Sequence, residues 1–381
     1  MEAYLDNSAT TKVYPEVAEM VMKLMTLDYG NPSSLHKKGV DAEHYIKDAT
    51  KIIAESLKGL PEEIIYTSGG TESNNMAIIG TALAKRRKGK HIVVSSIEHA
   101  SVHSVMQFLE KEGFEVTYIG TDSKGIVDVE SFVDAVRPDT ILASCMMVNN
   151  EIGAVEPVEK IAKLCKKKNP DIIMHSDCIQ AYGKMPIYPG KMSIDLMSVS
   201  GHKIHGPKGS GFLYVKKGTL LRPIIYGGGQ QKNMRSGPEN VPAIAGLGVA
   251  VEETFKDFDK KIEHMASMKK RLIENLLKIE DVYDNSGDAC HIASLSFKGV
   301  RAEVMLHTLE DKQVYVSSGS ACSSNSAKKL SGVLNAIGLD KDLLEATLRF
   351  SFSDMTTVEE VDYAIQVVNE VLPMLRHYKR G

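Results

Sequence analysis

The sequence predicts an α/β protein: a large domain built on a mostly parallel central sheet, joined to a smaller α+β domain. Three observations carry this reading. Between residues 62 and 215, short apolar runs alternate with segments of helical periodicity, a pattern that builds right-handed βαβ crossovers and presents ligands at the C-terminal ends of the strands. Beyond about residue 245 the pattern changes to a long amphipathic stretch, several strands and a closing helix. Finally, 381 residues are enough for a sizeable core and two subdomains. The expected division is 15–250 for the large domain and 1–14 with 251–381 for the smaller one.

The elements follow in order. Ile64–Thr67 reads as a short strand entering the Gly69-Gly70 turn. A helix is expected over 71–85, opened by Thr71 and Glu72, which suit a helix N-terminus. The runs His91–Ser95, Glu115–Ile119, 141–148, 172–176 and Leu196–Ser200 read as buried strands, with helices near 101–112, 129–136 and 157–168 between several of them. A further strand is expected over 212–215, after a Gly-Pro-Lys-Gly loop. Then come a long amphipathic helix over 247–280 and strands near 292–298, 313–317 and 346–353. The closing helix near 358–377 has Val361, Ile365, Val368 and Val371 at helical spacing.

Composition excludes several classes of function. A net charge of −3 gives no global basic field for nucleic acid or an anionic membrane. The basic run Lys85-Arg86-Arg87-Lys88-Gly89-Lys90 reads as the last turn and cap of a helix, its cations complementing the dipole. No stretch reaches transmembrane length, and the N-terminus has no signal-like pattern, so a cytoplasmic protein is expected. Five widely spaced cysteines, with no Cys-x-x-Cys pair, argue against a disulfide framework or a zinc ribbon.

The most informative segment is Asp195-Leu-Met-Ser-Val-Ser-Gly-His-Lys203, a strand followed by a turn. Burial at a strand end favours the neutral, nucleophilic form of the Lys203 amine, which can then attack an aldehyde. Ser200 and His202 beside it supply donors suited to a phosphate, and an amine next to a phosphate site suggests pyridoxal phosphate; a plain surface lysine is the alternative. Gly70 and Thr71, in Gly69-Gly-Thr-Glu-Ser73, place a helix N-terminus where an anion could sit, or simply make a tight turn. Asp177 could pair with a protonated pyridine nitrogen, with Gln180 three residues on, or could cap the next segment. His99, after Glu98, could stack on an aromatic ring, relay a proton or be structural, and the turn containing Asn150 could hold polar ligands. Cys322 lies in a loop of small residues that suits an exposed, mobile thiol; a small packing residue is the alternative. Arg349 could grip a carboxylate with its planar fork or make a surface pair. A metal site is not expected: His202 and His205 lie on a loop, and no nearby Glu completes a known pattern.

Together these segments resemble the group I cysteine desulfurases of the NifS/IscS type, within the class V pyridoxal-phosphate enzymes. The resemblance covers nearly the whole chain in order. It runs through Tyr4-Leu-Asp-Asn-Ser-Ala-Thr-Thr11, Gly30-Asn-Pro-Ser-Ser-Leu-His36, Thr67-Ser-Gly-Gly-Thr-Glu-Ser73 and Glu98-His99. It continues through Val148-Asn-Asn-Glu-Ile-Gly153, His175-Ser-Asp-Cys-Ile-Gln180, Ser200-Gly-His-Lys203, 317–324 and Leu348-Arg-Phe-Ser351. It implies fold type I, a homodimer with cofactor pockets at the subunit interface, and conversion of L-cysteine to L-alanine. In that scheme Lys203 forms the Schiff base and later moves protons, and Asp177 keeps the pyridine nitrogen protonated. Gln180 contacts the ring hydroxyl and His99 stacks on the ring and serves catalysis as an acid or base, while Gly70, Thr71, Ser200 and His202 hold the phosphate. Asn150 and Arg349 orient the substrate carboxylate, and Cys322 accepts the sulfur as a persulfide for an acceptor such as an iron–sulfur scaffold or a thiolation enzyme. The rival readings are a selenocysteine lyase or class V aminotransferase, or a non-catalytic sulfur-transfer scaffold. One position departs from the family pattern: Pro238 stands where a Thr hydroxyl would reach the neighbouring subunit's phosphate, which implies weaker cofactor retention.

Overall fold

The strands His91–Ser95, Thr140–Ser144, Ile173–Asp177 and Leu196–Ser200 are buried at every position, as parallel strands covered by helices on both faces must be. They form the middle of a computed structural model that describes residues 1–318 and 331–378. In chain order the first elements are β1 (Ala3–Tyr4), α1 (Pro15–Thr26), α2 (Lys37–Ser56), β2 (Ile64–Thr67), α3 (Gly70–Lys85), β3 (His91–Ser95), α4 (Ala100–Lys111) and β4 (Glu115–Ile119). Next come α5 (Val129–Asp134), β5 (Thr140–Ser144), α6 (Val158–Lys168), β6 (Ile173–Asp177), α7 (Pro189–Met192), β7 (Leu196–Ser200) and β8 (Gly211–Val215). The remainder comprises α8 (Val241–Phe255), α9 (Phe258–Leu276), β9 (Val282–Asp284), β10 (Ile292–Phe297), α10 (Ala302–Asp311), β11 (Val314–Tyr315), β12 (Ser317–Ser318), α11 (Gly332–Ala336), α12 (Lys341–Leu344), β13 (Thr347–Ser351) and α13 (Val358–Tyr378).

The central sheet has seven strands in the order β2-β8-β7-β6-β5-β3-β4. β8 pairs antiparallel with both β2 and β7, and every other pairing is parallel. The carboxyl ends of β2, β3, β6 and β7 therefore lead into the segments that carry Gly70, His99, Asp177 and Lys203. A second, four-stranded antiparallel sheet has the order β12-β13-β10-β9, and β1 pairs in parallel with β11. This part has its own apolar core, in which Leu295, Phe297, Leu348 and Phe350 pack against Leu272 and Val368.

Several elements differ from the sequence expectation. The helix expected over 247–280 is two helices, α8 and α9, broken at Asp257, whose φ of 52° is left-handed. The first begins earlier than expected, capped by Asn240, whose Oδ1 accepts from the Ala243 N–H at 3.2 Å. The apolar run 141–148 ends as a regular strand at Ser144, although Met147 N–H still donates to Asp177 O at 2.9 Å. The strand expected over 313–317 is two short strands in different sheets. Helices α1 and α2 and strand β1 were not anticipated. The last of these is only two residues long and is defined by its pairing with Val314 and Tyr315, more than 300 positions away.

Candidate active site

The turn after β2 requires glycine: Gly69 has φ 146°, a conformation that other residues rarely adopt. Helix α3 starts at the next residue, so its positive dipole end lies beside Ser200, whose Oγ is 3.5 Å from the Cβ position of Gly69. Below the turn, the Thr67 and Ser73 hydroxyls meet at 2.7 Å. His202 reaches Thr10 Oγ1 with its Nδ1 at 3.2 Å. Burial, with Lys203 and Lys208 nearby, pushes its imidazole down to about 4, so it stays neutral at physiological pH.

Lys203 ends a short helical turn after β7. Its ammonium donates to the main-chain oxygen of Ala9 at 2.7 Å and to that of Ser8. The N-terminal segment is held against this turn by Thr11, whose N–H and hydroxyl donate to His202 O at 2.9 and 3.0 Å.

Asp177 closes β6 with its carboxylate buried. Its Oδ1 accepts from the Ile179 N–H at 3.0 Å and its Oδ2 from Asn74 Nδ2 at 2.8 Å. Gln180 Nε2 donates to Ser8 O at 3.0 Å, and His291 Nε2 lies 3.3 Å from Gln180 Oε1. His99 is the N-cap of α4, where its Nδ1 accepts from the Ser101 N–H at 3.1 Å. The preceding residue, Glu98, is fully buried and accepts from Ser95 Oγ at 2.5 Å and Met146 N–H at 2.6 Å; burial raises its carboxyl to about 8.

Arg349 lies on β13, where Nη2 donates to Asp6 Oδ1 at 2.9 Å and Nη1 to the main-chain oxygen of Asn150 at 2.8 Å. The adjacent Glu151 accepts from Ser331 Oγ, and burial raises its carboxyl to about 7. Ser317 is the cross-strand partner of Arg349.

These segments enclose a cleft of about 420 Å³. Lys203, His99, Gly70, Thr71, Asn150, Asp177, Gln180, Ser200, His202 and Arg349 all line it, so ten of the predicted site residues share one cavity. The eleventh, Cys322, lies outside the described residues; Ser317 and Ser318 of the strand that precedes it line the cleft. Among the described residues, Ser8 Oγ and Arg349 Nε are buried without a hydrogen-bond partner, so the cleft still has polar capacity for a ligand. Asn150 meets Arg349 through its main-chain oxygen, a contact that its residue type does not reveal. Sequence reasoning missed Asp6, Ser8, Asn74, Ser101 and Glu151. Asp6 and Ser8 belong to the N-terminal motif, but nothing in the spacing ties residues 6–9 to residue 203 or 349.

The family model described as Aminotransferase class-V matches residues 3–364. Cysteine desulfurase IscS of Methanosarcina thermophila is 43% identical over 377 residues, covering 98% of this chain and 93% of that protein. Cysteine desulfurase IscS of Dictyoglomus turgidum is 42% identical over 379 residues, covering 98% and 95%. Among solved structures, a NifS-like protein superposes with a TM-score of 0.93 at 34% identity, covering 98% of this chain and all of that one, which is 100%. SspA in complex with cysteine superposes with a TM-score of 0.82 at 35% identity, covering 93% of this chain and 100% of that one.

Proposed function

This chain belongs to the class-V aminotransferase family, and from that premise we propose that it is a pyridoxal-phosphate-dependent cysteine desulfurase, converting L-cysteine to L-alanine and retaining the sulfur as a persulfide. The observation that carries the reading is the single cleft shared by Lys203, Asp177, His99, Thr71, Ser200, His202 and Arg349.

The donor set fits the cofactor. When bound, pyridoxal phosphate supplies an aldehyde for an amine to capture and a protonated ring that stores electrons released at the substrate's Cα. Lys203 is the amine, and it moves the proton at Cα. Asp177, its carboxylate fixed by Asn74 and the Ile179 N–H, holds the proton on the ring nitrogen. The α3 N-terminus at Gly70, with Thr71, Ser200 and neutral His202, holds the phosphate. Gln180 would hold the ring oxygen and His99 would pack on the ring, both from the lining of the same cleft.

Arg349 and Asn150 orient the cysteine carboxylate. Asp6 presents the guanidinium as a rigid fork, which favours planar, bidentate recognition. The Cys322 thiolate attacks the substrate sulfur; the carbon–sulfur bond breaks, its electron pair stays with the carbon fragment, and that carbon takes up a proton to leave as alanine. The strand Ser317–Ser318, paired with Arg349, brings the chain to the cleft four residues before that thiol.

The protein acts as a homodimer, and an iron–sulfur scaffold or thiolation enzyme takes the persulfide sulfur. Residues 15–250 form the cofactor-binding domain, and 1–14 with 251–381 form the smaller one; the separate apolar core of the second sheet supports this division. No described helix is long and apolar enough to cross a membrane; a cytoplasmic location is part of the proposed reading.

The test is alanine formation from L-cysteine with a reductant present, by wild type and Lys203→Ala after loading with pyridoxal phosphate. Steady turnover by wild type and none by the variant is expected. Equal rates, or no turnover by either, would contradict the reading.

A further inference from the structure

Asn74 lies in the first turns of α3 and is wholly buried, and its contact with Asp177 is only one of the two that its side chain makes. Its side-chain Nδ2 makes two hydrogen bonds, to Asp177 Oδ2 at 2.8 Å and to Ser101 Oγ at 2.9 Å. The amide orientation is forced, because an ionised carboxylate only accepts and so must face the NH₂ side. Ser101 continues the chain: its Oγ lies 2.8 Å from His99 Nδ1, and its N–H donates to the same nitrogen at 3.1 Å. A main-chain N–H cannot accept, so Nδ1 is the unprotonated nitrogen of His99 and the ring proton sits on Nε2. With Asn74 donating to Ser101 Oγ, the hydroxyl's one hydrogen is free to point at Nδ1.

We propose that Asn74 is a positioning residue that couples two parts of the site, orienting the Asp177 carboxylate with one N–H and, through the Ser101 hydroxyl, reinforcing with the other the main-chain N–H that keeps His99 Nδ1 unprotonated. The roles of Asp177 and His99 rest on the desulfurase reading; the hydrogen-bond relay does not. Reversing the polarity at residue 74 should therefore reach His99. An acceptor there draws the Ser101 hydroxyl hydrogen towards itself and turns an oxygen lone pair to Nδ1, which favours a proton on that nitrogen. Among the described residues, Glu151, on the turn after β5, and His103, one turn further along α4, interact electrostatically with His99, and Asp177 and Lys203 share its cleft. The substitution alters none of these four side chains.

The test is an NMR titration of ¹³C-labelled histidines, with His99 assigned by His99→Gln, in wild type, Asn74→Asp, Asn74→Ala and Ser101→Ala. Each protein is measured loaded with pyridoxal phosphate and free of it. The expected result is a rise in His99 proton affinity of roughly tenfold in Asn74→Asp and a smaller rise in Asn74→Ala, in both forms. No further effect of Asn74→Asp is expected once Ser101 is Ala, since the relay is then cut. The cofactor-free arm keeps the relay testable even if the desulfurase reading fails. His99 titrating as in wild type in Asn74→Asp, with melting temperature unchanged, would overturn the proposal. So would a His99 shift in Asn74→Asp that persists undiminished in the Ser101→Ala background.

Discussion

Arg349 and Asp6 form an ion pair at 2.9 Å on the wall of the cleft, with the arginine side chain only 9% exposed. The aspartate comes from the N-terminal strap and the arginine from β13, so a contact across 343 positions aims the guanidinium. Two of its nitrogens are engaged, and the third, Nε, is buried with no partner among the described residues.

Substitution of Arg349 by Lys keeps the charge and loses the fork. Arg349→Lys is therefore expected to raise the KM for L-cysteine roughly tenfold or more, from the loss of a charge-assisted hydrogen bond of about 1.5–3 kcal/mol. Steady-state alanine formation measures it. An unchanged KM would remove Arg349 from carboxylate recognition.

Glu98 predicts a pH dependence of stability. Its folded carboxyl titrates near 8 against an ordinary value of 4.5, so the fold favours the protonated form. Its stabilising contribution is then complete below pH 4.5 and is lost as pH rises through 8. Glu98→Gln mimics the protonated form, keeping an oxygen for Ser95 and the Met146 N–H. Relative to wild type, the variant should gain on the order of 4 kcal/mol in urea unfolding between pH 5 and pH 8.5. Equal stability at both pH values would show that burial does not perturb this carboxyl.

Pro238 is exposed on the single chain and does not line the cleft. If the homodimer brings it to the partner's phosphate, Pro238→Thr restores a hydroxyl donor to a charged group, worth about 1.5–3 kcal/mol. Equilibrium dialysis should then show roughly tenfold tighter retention of pyridoxal phosphate. Equal affinity would remove residue 238 from the phosphate site.

The central sheet was legible because its strands are short, continuous apolar runs, and because the site residues sit where strands meet turns. Local sequence puts Lys203, Asp177 and His99 at strand ends but leaves a surface lysine, a helix cap and a structural histidine as alternatives; only the ordered resemblance along the whole chain assigns them roles. The contacts that aim them were not legible. The oxygens of Ser8 and Ala9 that receive Lys203 are main-chain atoms, which residue type does not reveal. Asn74 and Ser101 are ordinary helix residues whose function lies in long-range contacts to Asp177 and each other. The break at Asp257 was hidden because apolar residues continue on both sides of it; only the left-handed backbone marks the division.

The central claim is that the Lys203 amine and the Cys322 thiol serve one reaction. Mass spectrometry of the peptide carrying Cys322, after mixing cofactor-loaded protein with L-cysteine, tests it most directly. The account predicts the added mass of one sulfur in wild type and none in Lys203→Ala. Alanine accumulating at full rate while that peptide stays unmodified, or sulfur appearing equally without the lysine, would contradict it.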